Sequence, residues 1–417
     1  MTTGSPKPSA LVRALNIGGR AMKEAGVPRL PLDADGLMEA ACRRTGLGDF
    51  GAPTFEAPLR LLVRSLEADA GLSLFGRIAA RQDLKQILTN RLRMEDDCRR
   101  HPEIRRGAVA RPLFITGMPR TGTTLLHGLL AQDPMARSPM GWETLFPSPP
   151  PQRSRFKKDK RIEIAQFQMS MLYRVVPEFK RIHGVGARLP EECLVVTAPT
   201  FYSFQFQTMY HVPTYQSWLE AQDLTPSYRG HKRFLQHLQW RCSGDWWVLK
   251  APAHIFGLPE LFGVYPDARV VMTHRDPLPV VASLASLTTV LRSAFSDTVD
   301  PLAVGPEMSE RWGRGLAKAL DDRAAGRVPA GQILDVAYRD LVDDPIATVR
   351  RIYDWADLPL TGAAEAQMRA FLADHRKDKH GRHEYTLEQF GLDPDEEARR
   401  YHEYSQRFGL DDRRLPE

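Results

Sequence analysis

The sequence predicts an α/β fold: a P-loop-type parallel sheet flanked by helices, with a helical N-terminal region. Three observations carry that expectation. The apolar run Pro112, Leu113, Phe114, Ile115, Thr116 has the length of a buried strand, and Leu125, Leu126, Leu129 and Leu130 mark an apolar helix after an intervening glycine-rich turn. Further short apolar segments at residues 246–249, 268–273 and 332–337 each run into a helical pattern, as strands of a parallel sheet covered on both faces do. Residues 10–102 instead repeat apolar residues at helical spacing, as in Leu59, Leu62, Val63, Leu66 and Leu84, Ile87, Leu88, Leu92, with no strand pattern among them.

In chain order, residues 1–10 are polar and proline-bearing and are expected to be disordered. The patterns then divide the chain into a helical N-terminal region, 1–110, and an α/β domain, 111–417, interrupted at about 145–240 by a helical, aromatic-rich insertion. The insertion opens on Pro147, Pro149, Pro150 and Pro151, which enforce an extended loop, and runs into Arg153, Arg155, Lys157, Lys158, Lys160 and Arg161. That basic run reads first as a solvated helix start, with weak contact to an anionic membrane surface or acceptor as the lesser alternative. A helical pattern covers 161–183, and an aromatic-dense stretch follows with Phe201, Tyr202, Phe204, Phe206, Tyr210, Tyr215 and Trp218. Such density marks core more often than pocket.

The turn between the first strand and its helix is Gly117, Met118, Pro119, Arg120, Thr121, Gly122, Thr123, Thr124. A nucleotide triphosphatase loop has the spacing G-x-x-x-x-G-K-[ST], its lysine reaching the β/γ-phosphates and its last hydroxyl holding Mg²⁺. Here both glycines and Thr124 are in register, but Thr123 fills the lysine slot and the cation is Arg120, three places earlier. Glycines let the backbone approach a phosphate, and the amides and dipole of the helix start attract an anion. The loop therefore keeps its grip on phosphate and loses the residue that serves ATP hydrolysis. Downstream, Lys250 ends one strand segment, and Arg275 ends the next, with Ser283 about two turns into the helix that follows. Taken singly, Arg275 is equally an ion-pair partner for Asp276 or Asp340, and Tyr338, at the exit of the last strand, equally a packing residue.

The segment PLFITGMPRTGTTLL resembles the 5′-phosphosulfate loop of sulfotransferases, particularly the bacterial and protein-tyrosine branches, in which arginine replaces the lysine of the cytosolic enzymes. The resemblance spans roughly residues 112–358. It implies 3′-phosphoadenosine 5′-phosphosulfate (PAPS) as donor, with no metal required, and makes 111–417 the catalytic domain with the insertion building its acceptor pocket. It implies that Arg120, Thr121, Gly122, Thr123 and Thr124 hold the 5′-phosphate, that Arg275 and Ser283 hold the 3′-phosphate, and that Tyr338 lies against the adenine. Arg339 stands where the family's Tyr-Glu-Asp-Leu segment has glutamate, so only Tyr338 carries over. Weaker similarity continues through Arg376, Lys377, Lys379, Arg382 and His383, a basic turn that either closes over the 3′-phosphate or is a solvated charge run.

Sulfuryl transfer needs an in-line acceptor oxygen, a base for its proton, and positive groups where charge builds on the leaving phosphate. Arg120 is the first candidate cation and Lys250 the second, since Lys250, Ala251, Pro252 resembles the Lys-x-Pro segment of the protein-tyrosine branch. For the base, Glu143 lies where that branch has its catalytic glutamate, and a desolvated carboxylate has its pKa raised toward the working pH. A surface or helix-capping carboxylate is the plainer reading of it. His254 is the runner-up, displaced from the histidine slot of the cytosolic enzymes by Pro252; Glu191 and Glu192 follow, with helix capping as their plainer role.

Whole-chain properties agree. The 417 residues have ordinary globular composition, and the net charge of +6 suits an anionic nucleotide. No zinc spacing, RNP-like aromatic stretch or basic dimerisation helix points to nucleic acid. Cys42, Cys98, Cys193 and Cys242 form no C-x-x-C pair, which predicts reduced thiols in a cytoplasmic protein. The start of the sequence shows no signal-like apolar region, and no transmembrane stretch is expected. The expected function is transfer of a sulfuryl group from PAPS to a hydroxyl of a small apolar alcohol or phenol. A P-loop kinase is the alternative enzyme and a non-catalytic nucleotide-binding relative the alternative class; oligomeric state is open.

Overall fold

Val, Ile, Leu and Trp fill the short apolar segments, and residues of this type that are covered on both faces pair as parallel strands. In the computed structural model, which describes residues 9–175, 177, 184–374 and 385–410, these segments are β1 (Leu113–Gly117), β2 (Ala136–Arg137), β3 (Trp246–Lys250), β4 (Arg269–His274) and β5 (Ile333–Ala337). They form one parallel sheet in the order β2-β3-β1-β4-β5. β1 lies at its centre, with Leu113 opposite Val248 on one side and Arg269 on the other. The chain winds from β1 toward β2 and β3, then returns past it to β4 and β5. The glycine turn after β1 therefore sits at the topological switch point, where open α/β sheets bind ligands.

Strand alternation assigns the faces. Leu113 and Ile115 join Val248, Val271, the leucines of helix Thr123–Leu130 and Val349, Ile352 and Tyr353 of helix Pro345–Ala356 in one buried core. Phe114 points the other way, its ring 5.1 Å from His254 and 5.4 Å from Tyr265. Phe256 against Trp312 of helix Pro301–Ala324 closes that second layer.

The chain divides into two compact units. One holds the whole sheet and consists of Val109–Ser138, Gly244–Ser286 and Asp300–Glu417. The other consists of Met1–Ala108, Pro139–Ser243 and Leu287–Val299. In the latter, helices Ala10–Glu24, Ala34–Thr45, Glu56–Ala68 and Leu74–Arg100 follow the apolar periodicity, and no strand occurs among the described residues before Leu113. Ser9 caps the first helix by accepting from the Val12 amide, so order begins at the end of the stretch expected to be disordered. Residues 1–8 lie outside the described residues, as does the basic turn at 376–383.

One other expectation changes. Arg161 is not solvated: it forks onto Asp159, donates to the carbonyls of Phe146 and Pro149, and stacks on Trp142, because it must tie the proline loop to the helix that starts with it. That helix is described for Arg161–Val175, and the remainder of the span expected to be helical lies largely outside the described residues. Helix Pro277–Phe295 is long and apolar enough to cross a membrane by length and composition, although Ser, Thr and one Arg interrupt its apolar run. Most of it is buried in the fold, as a core helix is, and Arg292 within it donates to the Gln207 carbonyl and meets His211 Nδ1.

The aromatic stretch proves to be core. Phe201, Phe206 and Tyr215 are fully buried, with Phe201 stacked on Phe206 and Phe206 edge-on to Tyr215. The Tyr215 hydroxyl is satisfied by the carbonyls of Phe201 and Ser203.

Candidate active site

β1 ends in Gly117 at φ 133°, a conformation open to glycine, and a Cβ there would lie 2.5 Å from the Thr273 carbonyl oxygen of β4. The loop then turns through Arg120 at φ 68° and Gly122 at φ 89° before helix Thr123–Leu130 begins. Gly122 caps that helix without any side-chain hydrogen bond, so the positive end of the helix is left to the loop. A Cβ on Gly122 would meet Leu341 at 2.9 Å and Tyr338 at 3.0 Å; glycine lets the tyrosine ring close onto the loop. Arg120 is a non-glycine residue in the left-handed region, a strained state that is held where surrounding structure requires it.

Arg275, Ser283 and Tyr338 come together on this loop. The Arg120 Nε donates to Ser283 Oγ at 3.1 Å, Arg275 donates to the Arg120 carbonyl at 2.9 Å, and the Arg275 guanidinium lies 4.3 Å from the centre of the Tyr338 ring. Arg275 thus stacks on a ring. Desolvation lowers the Arg120 guanidinium from its ordinary value, with Arg275 adding to the effect and Tyr385 and Tyr338 opposing it. Like-charged guanidinium groups held this close raise the affinity of the loop for an anion.

Lys250, at the end of β3, is 2% exposed, and its ammonium lies 3.5 Å from the Thr124 hydroxyl. Thr121, by contrast, has its hydroxyl engaged: it donates to the Met118 carbonyl at 2.6 Å and shares a hydrogen bond with Thr273 at 2.6 Å. It braces the loop, leaving a phosphate its backbone amide. Thr123 is buried and Thr124 exposed.

Behind Arg275, His274 bonds Tyr404 through Nδ1 and Asp335 through Nε2, each at 2.9 Å, and Arg323 forks onto Asp335 at 2.8 and 2.7 Å. Burial alone would raise the Asp335 carboxyl, but hydrogen bonds from His274 and Arg323 hold it well below the usual carboxylate range. This network fixes the ends of β4 and β5, from which Arg275 and Tyr338 project.

Sequence reasoning missed His127. It lies one turn into the loop helix, 2% exposed, and its Nε2 is buried with no hydrogen-bond partner. Burial lowers it to about 3, with the charge of Lys250 adding and a hydrogen bond to the Val248 backbone opposing, so the imidazole is neutral. A lone histidine in an apolar helix reads as core, and only the packing of that helix on β3 links it to Lys250.

Glu143 belongs to the other unit, in helix Gly141–Leu145; it is 0% exposed and its Oε2 accepts the Met140 amide at 3.0 Å, capping its own helix. His254 is buried edge-on to Phe114, on the sheet face opposite the leucines of the loop helix. The Glu192 amide donates to the Glu191 carboxylate at 2.9 Å, and Glu192 caps helix Cys193–Thr197 without a side-chain bond. No cluster of His, Cys, Asp and Glu suited to a metal ion occurs among the described residues.

Comparison with known proteins identifies the family. The model of the sulfotransferase family matches residues 112–362. The omega-hydroxy-beta-dihydromenaquinone-9 sulfotransferase Stf3 of Mycobacterium tuberculosis, like that of Mycobacterium bovis, is 28% identical over 300 residues, 67% of this chain and 71% of the relative. Among solved structures, sulfotransferase STF9 from Mycobacterium avium superposes with a TM-score of 0.83 at 31% identity, covering 91% of this chain and 97% of that one. STF1 from Mycobacterium tuberculosis gives 0.80 at 31% identity, covering 89% and 98%.

Proposed function

This chain belongs to the sulfotransferase family, and from that premise we propose that it takes its sulfuryl group from PAPS and delivers it to the hydroxyl of a small apolar alcohol or phenol. The observation that carries the donor is the meeting of Arg120, Arg275, Ser283 and Tyr338 at the uncapped start of the loop helix. These residues fit a nucleotide with two anionic groups: amides and cations for phosphate, and an aromatic ring for a base. Arg275 and Ser283 would hold the 3′-phosphate, Tyr338 the adenine, and the amides of residues 121–124 with Arg120 the 5′-phosphate. When bound, PAPS supplies the activated sulfuryl group.

The chain's own residues supply the rest. Arg120 and Lys250 place positive charge where the leaving phosphate becomes more anionic, and the buried ammonium acts in a low dielectric, where its field is strong. Thr124 orients Lys250 through its hydroxyl. His127 stays neutral beside Lys250, so it does not compete for the anion. Glu143 is our candidate for the base that takes the acceptor's proton; its full burial keeps it desolvated, and the Met140 amide fixes its rotamer. An apolar acceptor is supported by the relative named for a hydroxylated menaquinone. The spacing of Cys42, Cys98, Cys193 and Cys242, which forms no C-x-x-C pair, supports a cytoplasmic setting.

The test is an acceptor screen with radiolabelled PAPS, run beside a binding assay of 3′,5′-diphosphoadenosine against ATP. Tighter binding of the diphosphoadenosine and label transfer to apolar alcohols are expected. Preference for ATP would overturn the donor assignment.

A further inference from the structure

The helix Arg161–Val175 buries Ile162 and Ala165 against Trp142 and Ala187, with Met169 packed beside them. Its opposite side carries Ile164, Phe167 and Met171, spaced as one helical stripe and 52%, 61% and 38% exposed. Large apolar side chains ordinarily hide from water, and an exposed stripe rimmed by polar groups marks a binding surface. The rim here is basic. Arg153, Arg155, Lys157, Lys158 and Lys160 precede the helix and are exposed, and Arg174 stands exposed in its last turn. Arg188, also exposed, donates to the Lys157 carbonyl at 3.2 Å and brings the exposed Leu189 beside them. Of the described acidic groups in this segment, Asp159 is neutralised by its two-pronged pairing with Arg161, and Glu163 is exposed in the first turn.

We propose that this face of the helix Arg161–Val175 rests on an anionic phospholipid membrane, with Ile164, Phe167 and Met171 entering the acyl boundary and the surrounding lysines and arginines meeting lipid phosphates. Charge complementarity selects this occupant. An apolar stripe flanked by Lys and Arg is the arrangement of helices that lie in the interfacial plane, where apolar burial and attraction to anionic headgroups add. A second copy of the chain, docked face to face, would bring two cationic rims together, and like charges across an interface disfavour it. A nucleic acid would match the rim and leave the stripe in water. The proposal is independent of the donor and acceptor assignments, although an enzyme working on apolar alcohols gains access to them at a membrane.

Co-sedimentation of the full chain with vesicles of pure phosphatidylcholine, and of phosphatidylcholine with an equal part of phosphatidylglycerol, tests it. Binding at least tenfold tighter to the anionic vesicles is expected, falling steeply as salt is raised. Phe167→Glu, and separately Lys157→Glu with Lys158→Glu, should each weaken that binding tenfold or more. All three positions are exposed, so thermal melting should be unchanged. Equal binding to both vesicle types, or wild-type binding by the variants, overturns the proposal. So does a dimer in analytical ultracentrifugation that Phe167→Glu dissociates while vesicles go unbound.

Discussion

At the scale of single residues, the site is a set of cations whose partners are already arranged. Arg275 donates to the loop carbonyl and stacks on Tyr338, so its removal is expected to leave the fold intact while taking away the proposed charge-assisted contact to the 3′-phosphate. Arg275→Ala should lose about 1.5–3 kcal/mol of the preference for 3′,5′-diphosphoadenosine over AMP. Titration calorimetry of both ligands reads this directly, and an unchanged preference would remove Arg275 from the 3′-phosphate. The base is tested by a pair of variants. Glu143→Gln retains a carbonyl that can accept the Met140 amide, so shape and nucleotide affinity should hold while turnover falls about 10²–10⁴-fold, the range for lost general-base catalysis. His254→Ala, which removes a ring packed on Phe114, should cost thermal stability more than turnover. If the histidine variant is inactive and the glutamine variant is not, the two roles exchange. Arg120, Lys250, Arg275, Ser283 and Tyr338 were all legible in the sequence as a motif set. His127 and the bracing role of Thr121 were not, because both depend on which strand lies beside the loop.

At the scale of elements, the loop between β1 and its helix depends on glycine at its first position. Gly117→Ala would force a Cβ within 2.5 Å of the Thr273 carbonyl oxygen at φ 133°, and either β4 or the loop must shift. A loss of about 1–3 kcal/mol of stability is expected, from strain and overpacking together, with weakened nucleotide binding. Denaturant unfolding and 3′,5′-diphosphoadenosine affinity check it; a variant matching wild type in both would mean that the loop is not held by this approach. The four longer strands were legible as short apolar runs, and β2 was not, since two residues carry no periodicity. The aromatic stretch at 201–218 reads in the sequence as either core or pocket. Packing decides it: Phe201 stacks on Phe206, which meets Tyr215 edge-on. Arg161 likewise reads as one more charge in a basic run, and only the fold brings Trp142, Asp159 and two carbonyls around it.

At the scale of the whole molecule, two properties follow. Activity should survive EDTA, because Thr123 occupies the lysine slot of the loop and Arg120 and Lys250 are the proposed cations; an enzyme that is inactive until Mg²⁺ returns would contradict the mechanism. Stability should fall on acidification. Burial lowers both His127, where Lys250 adds to the effect, and His231 to about 3. The unfolded chain takes up these protons near pH 6.5 and the folded chain refuses them until about 3, so the stabilisation is complete above 6.5 and is lost as pH falls through that window, by up to about 1.4 kcal/mol per pH unit for each histidine. Asp83, raised to about 6 by burial, opposes part of this loss. A lower urea midpoint at pH 5 than at pH 7 is expected, and equal midpoints would refute it. The sequence by itself determined the α/β class, the glycine turn after the first strand, the order of the candidate motifs and the resemblance to the family, because those reside in local spacing: glycines where the backbone turns, a cation at a strand end, apolar residues at strand and helix periods. Tertiary structure alone decided that the chain passes repeatedly between two compact units, so that the residues after Pro139 cluster with the N-terminal helices while the sheet gathers three separate segments. It also decided which charged groups are neutral, paired or exposed. Burial and partner choice are set by residues far apart in the chain, and no local pattern encodes them.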